Sequence, residues 1–149
     1  MNAQISIFRA AEQDAKTVAA LACKLWPHHT VLEMEAEFAP LLTGEDAAVF
    51  LAFDGKDAIG FAQCQLRRDY VEGCATSPVG YLEGIFVAEE YRRRGTAKAL
   101  LSACEGWSRE RGCREFASDC ELGNEESQRF HVSLGFREAN RIVCFVREL

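Results

Sequence analysis

Three consecutive arginines, Arg92, Arg93 and Arg94, stand directly before Gly95, between a strand-like apolar run and a helix-like one. The run VGYLEGIFV ends near Val87, and a helical pattern starts at about Gly95 and closes at Gly112. Backbone N–H groups at a helix start lack intrahelical partners, and the helix dipole adds partial positive charge there. Three more cations at that end are electrostatically misplaced unless an anion neutralises them. Gly95 lets the backbone approach such an anion closely, and Ala97 keeps the next turn small. The segment from Arg92 through Thr96 to Ala97 therefore reads as a phosphate cradle, with guanidinium groups adding charge-assisted hydrogen bonds. It carries neither the Gly-Lys-Ser/Thr ending of a nucleotide P-loop nor a dinucleotide glycine fingerprint.

The rest of the chain bounds the answer. At 149 residues it is the length of one domain, able to bury a core without disulfides or metal. A net charge of −6 disfavours nucleic acid and anionic membranes as partners and suits a cationic ligand. No run is long enough for a membrane span, and MNAQISIFRAAEQ lacks the layout of a signal peptide. The seven cysteines are odd in number and contain no C-x-x-C pair. That spacing argues against a zinc site or a disulfide framework and predicts reduced, mostly buried thiols in a cytoplasmic protein. His28 and His29 have no partnered ligand spacing, so no metal is expected.

Periodicity supplies the elements. ISIFRA predicts a first strand, and EQDAKTVAALACKLW a helix with Val18, Leu21, Ala22 and Leu25 on one face, stopped by Pro27. Thr30 and Glu33 have capping-box spacing and predict a second helix from Val31 towards Leu42, ending near Gly44. AAVFLAF and AIGFAQCQLRR predict a hairpin around DGKD, and DYVEGCATSPVG a polar loop. REFASDC predicts a strand, NEESQRFHVSLGF a helix ending at Gly135, and RIVCFVREL a last strand. The order β-α-α-β-β-β-α-β-α-β predicts one mixed α/β domain over residues 1–149.

Arg92, Gly95 and Ala97 have the spacing of the phosphate-turn signature of the GNAT superfamily of N-acetyltransferases, which the segment resembles. NEESQRFHVSLGF resembles that family's following helix and turn, with Asn124, Ser127, Gly135 and Phe136 in register. The resemblance implies a mostly antiparallel central sheet flanked by helices, its strands splayed around acetyl-CoA. It also implies that the anion is the pyrophosphate of acetyl-CoA. Backbone groups of Ile85, Phe86 and Val87 would hold the pantetheine arm, and Asn124 and Ser127 its thiol end. Where many family members have a tyrosine that protonates the leaving thiolate, this chain has His131.

On the acceptor side, Glu83 is a charge inside an apolar strand, and Gly84 beside it predicts a bulge or a close backbone approach. Asp119 ends the next strand, so both carboxylates can meet in one cleft, to bind an ammonium group or take its proton. The segments LWPHHT, RRDYVEGCATSPVG and FASDCELGNEE resemble the aminoglycoside 6'-N-acetyltransferase branch. That resemblance implies an acceptor site lined by Trp26, His29, Tyr70, Glu72, Glu83 and Asp119, a polycationic amino-sugar as substrate, and a homodimer. Two alternatives stand beside it: a family member acetylating another amine (a polyamine, an amino acid or a protein N-terminus), and a non-catalytic acyl-CoA-binding domain.

Overall fold

A computed structural model describes residues 4–149. Five strands form a single sheet in the order β1-β2-β3-β4-β5. They are β1 (Ile5–Arg9), β2 (Ala47–Asp54), β3 (Asp57–Arg67), β4 (Val79–Val87) and β5 (Phe116–Ser118). All neighbours are antiparallel except β4 and β5, which run parallel. The helices are α1 (Ala15–Leu25), α2 (Val31–Thr43), α3 (Thr96–Glu110) and α4 (Glu125–Ser133).

The local signals act as their chemistry predicts. Both halves of the capping box form at α2: Thr30 Oγ1 accepts from the Glu33 N–H at 3.2 Å, and Glu33 Oε2 accepts from the Thr30 N–H at 3.4 Å. α1 stops at Leu25, just before Trp26 and Pro27.

Alternation along β2 and β3 splits the core between the two sheet faces. Val49, Leu51 and Phe61 face α1 and α2 and pack with Val18, Ala22 and Phe38. Ala48, Ala62 and Cys64 face the other way and pack with Leu82 and with Leu100, Leu101, Cys104 and Trp107 of α3. Phe61 is completely buried, with Phe38 edge-on at 6.0 Å and Trp26 edge-on at 6.2 Å. This aromatic contact fixes the end of α1 against β3, and through Trp26 it reaches the site described below.

The structure corrects three expectations. RIVCFVREL forms no strand: residues 136–149 carry no helix or strand, and Phe145 and Val146 are 92% and 96% exposed. An apolar β-branched run has strand propensity, but a ladder needs a neighbour, and none lies beside this segment within the described residues. The strand expected at 114–120 pairs only from Phe116 to Ser118. Of the cysteines, Cys64, Cys104 and Cys113 are buried, whereas Cys144 is exposed on the tail.

Candidate active site

β5 pairs with β4 only at Gly80, Tyr81 and Leu82. Past that point the strands part, so β4 from Glu83 to Val87 has no strand partner on its β5 side. An unpaired ladder edge presents N–H and C=O groups to whatever lies in the gap. Ile85 packs toward α3 and Phe86 toward α1 and α2, which leaves their backbone along the open edge.

The gap leads to the basic turn. Glu89–Tyr91 form a single 3-10 turn, and α3 begins at Thr96. Arg93 (φ 63°) and Gly95 (φ 81°) are both left-handed, which curls the amides of the turn into a concave anion nest. The turn is braced before any ligand arrives. Tyr91 donates its hydroxyl to Asp54 Oδ2 at 2.5 Å, Arg92 Nε donates to the Val87 carbonyl at 2.8 Å, and the Thr96 hydroxyl donates to the Tyr91 carbonyl at 3.4 Å. Thr96 is buried and Ala97 half-buried, so these two positions offer backbone rather than side chain. Arg92, Arg93 and Arg94 are exposed, and a Cβ built at Gly95 would project into open space.

The carboxylates lie where β4 and β5 diverge. The β3–β4 register slips between Gln63 and Cys64, which face Gly84 and Leu82, leaving Glu83 as the extra residue of a β-bulge. Gly84 is needed there, since a Cβ would come within 2.6 Å of the Trp26 ring. Glu83 does not stand free. Arg67 grips it through Nε at 3.1 Å and Nη2 at 2.9 and 3.0 Å, and the guanidinium lies 3.4 Å above the Tyr81 ring. Tyr81 in turn donates its hydroxyl to Asp119 Oδ2. Burial, then the hydrogen bond to Asp119, raise the Tyr81 phenol well above its usual range, so it remains a donor. One chain of contacts thus links Glu83, Arg67, Tyr81 and Asp119 across β3, β4 and the end of β5.

The remaining expected residues fall in separate groups. Tyr70 is 80% exposed and donates to Glu72 Oε2 at 3.0 Å, while Asn140 donates to Glu72 Oε1 at 2.7 Å. His29 lies on the surface, 3.3 Å from Glu33. Asn124 Oδ1 caps α4 by accepting from the Ser127 N–H at 3.0 Å. His131 is held at both nitrogens: Nδ1 donates to the Ser127 carbonyl at 2.7 Å, and Nε2 lies 2.8 Å from the Ser118 hydroxyl. Ser118 is the last residue of β5, so His131 reaches the gap only through that hydroxyl. Among the described residues, no group of three or more His, Cys, Asp or Glu side chains could hold a metal ion. No helix among them is long and apolar enough to cross a membrane.

Comparison with known proteins bears on this geometry. The family model described as "Acetyltransferase (GNAT) family" matches residues 15–136, from α1 to the turn after α4. The chain belongs to this family. Its relatives include an aminoglycoside N(6')-acetyltransferase type 1 of Salmonella typhimurium, 43% identical over 122 residues, or 82% of this chain and 84% of the relative. Among solved structures, aminoglycoside N-acetyltransferase AAC(6')-Iy in complex with CoA superposes with a TM-score of 0.95 at 37% identity, covering 100% of this chain and 98% of the other. AAC(6')-Iy in complex with the bisubstrate analogue CoA-S-monomethyl-acetylneamine gives 0.93 at 38% identity, covering 98% and 99%.

Within this acetyltransferase, sequence reasoning missed Arg67 and Tyr81, the residues that join the two carboxylates. Tyr81 had a legible signal, because it lies two positions before Glu83 on one strand. Arg67 had none, because it meets Glu83 only through the register of a strand pair.

Proposed function

We propose that this chain is an acetyl-CoA-dependent aminoglycoside 6'-N-acetyltransferase that confers antibiotic resistance by acetylating the 6'-amine. The observation that carries the reading is the position of Asp119 and Glu83 where β4 and β5 part, beside an open backbone edge leading to the arginine turn. The names of the relatives and neighbours support the same assignment.

In this reading the amides of Arg93–Ala97 and the arginine side chains hold the pyrophosphate, and the β4 edge at Ile85–Val87 holds the pantetheine and polarises the thioester carbonyl. Asn124 and Ser127 border the thiol end. Trp26, His29, Tyr70 and Glu72 receive the sugar rings, and Glu83 and Asp119 receive ammonium groups. Asp119 Oδ2 is already engaged by Tyr81, so Oδ1 takes the proton from the 6'-ammonium. The freed amine attacks the thioester carbon; a C–N bond forms, the C–S bond breaks, and the thiolate leaves. As the adduct collapses its nitrogen gives up a second proton, and the thiolate takes up one, relayed through the Ser118 hydroxyl and the His131 Nε2, which is free to accept because Nδ1 donates to Ser127. Arg67 fixes the bulged Glu83 and offsets its charge, so we assign Glu83 to binding more than to proton transfer.

We also propose a cytoplasmic homodimer formed through residues 141–149. Unpaired cysteines support the compartment, and the exposed Ile142, Val143, Phe145 and Val146 support an apolar contact between copies. Sedimentation velocity is expected to give a dimer that becomes a monomer when the chain is cut after Asn140. A full-length monomer at micromolar concentration would dispose of this part.

The function is tested by thiol release from acetyl-CoA with kanamycin, tobramycin, an analogue lacking the 6'-amine, spermidine and a short peptide. Turnover confined to compounds bearing the 6'-amine is expected. Turnover with spermidine or peptide alone would move the chain to another acceptor. Tight acetyl-CoA binding without any turnover would make it a binding domain.

A further inference from the structure

The segment 68–78 between β3 and β4 carries Tyr70 and Glu72 but contains no helix or strand. Its shape therefore depends on side-chain anchors. Glu115, the residue before β5, provides one on a single oxygen. Oε1 accepts the Ala75 N–H at 2.9 Å, the Thr76 N–H at 2.7 Å and the Thr76 hydroxyl. The Glu115 carbonyl also accepts the Gly80 N–H at 3.1 Å, gripping the start of β4 as well. These hydrogen bonds, that from the Thr76 hydroxyl foremost, hold the Glu115 carboxyl below its usual range and keep it ionised as an acceptor.

Other contacts shape the same loop: Val71 is buried against Val79 and Tyr81, and Arg68 pairs with Asp46. Ser77 donates its hydroxyl to the Arg68 carbonyl at 2.9 Å, and Asn140 holds Glu72 from the tail. Glu115 differs from these in its place. It stands at one end of β5, and Asp119 stands just past the other end. The three-residue strand is thus a spacer between the loop's anchor and the carboxylate where β4 and β5 part.

We propose that Glu115 is a positioning residue for the acceptor: it sets Tyr70 and Glu72 at a fixed distance from Asp119 without touching the substrate. The inference rests on the acceptor site of the preceding subsection. It predicts an effect on one substrate only, since the Glu115 side chain bonds to Ala75 and Thr76 rather than to the donor turn or Ile85–Val87.

The test compares Glu115→Ala with Glu115→Gln, whose amide oxygen still accepts hydrogen bonds. Steady-state kinetics with tobramycin and acetyl-CoA are paired with hydrogen exchange at the amides of Ala75 and Thr76. Glu115→Ala is expected to raise the KM for tobramycin on the order of tenfold to a hundredfold, as misplaced contacts do, with the KM for acetyl-CoA unchanged. Protection at both amides is lost in Glu115→Ala and largely kept in Glu115→Gln. A wild-type tobramycin KM in Glu115→Ala overturns the inference, as does an equal rise in both KM values. If the unaltered enzyme acetylates no 6'-amine, the acceptor assignment fails separately, and unchanged amide protection in Glu115→Ala would then remove the anchor too.

Discussion

Replacing Asp119 by Asn is expected to lower kcat for 6'-amine acetylation by about 10²–10⁴-fold, the usual contribution of a positioned general base. The substitution is nearly isosteric, and the amide oxygen can still accept the Tyr81 hydroxyl, so the contact with Tyr81 is kept. What is lost is the ability to take a proton. The KM for acetyl-CoA should not move, because in the proposed mechanism Asp119 serves the acceptor. The loss should appear in the chemical step itself. Rapid-quench measurement of the first turnover separates this from slow product release. A variant turning over at the wild-type rate would show that water, or an amine already neutral when bound, serves instead.

The second large effect belongs to the donor. Gly95→Val is expected to raise the KM for acetyl-CoA by roughly tenfold to a hundredfold, with acceptor preference unchanged. Two causes act together. A β-branched residue at φ 81° costs about 1–3 kcal/mol. Its side chain also adds bulk beside amides that, in the proposed reading, cradle the pyrophosphate. Gly95→Ala should lie between the two, since it adds the strain with less bulk. Calorimetric titration with CoA measures the change without catalysis. Wild-type CoA affinity in Gly95→Val would remove the pyrophosphate from this turn.

Features encoded by neighbouring residues were legible in the sequence. The capping box at Thr30 and Glu33, the hairpin between β2 and β3, and the strand, turn and helix around Gly95 are all where local pattern places them. The bulge was readable too, because Gly84 has no other reason to interrupt an apolar strand, and the Trp26 ring occupies the space its side chain would need. What escaped depends on residues far apart in the chain. Glu115 meets Thr76 across 39 residues and Tyr81 meets Asp119 across 38, contacts set by strand register rather than by composition. The expected last strand is absent for a related reason: RIVCFVREL has the propensity, but pairing is a property of two segments, and local pattern describes only one.

Trp26, pressed against the bulge at Gly84, also gives the molecule an optical handle. The chain has two tryptophans. Trp107 is sealed in the core on the inner face of α3, only 4% exposed and with Arg111 over its ring, so its emission is a steady background. Trp26 lies half-buried against Gly84, the neighbour of Glu83, where a polycation bound at the proposed acceptor site would change both its solvation and its local field. Acceptor occupancy is therefore readable from intrinsic fluorescence in the unlabelled protein, and a Trp26→Phe control isolates the responding ring.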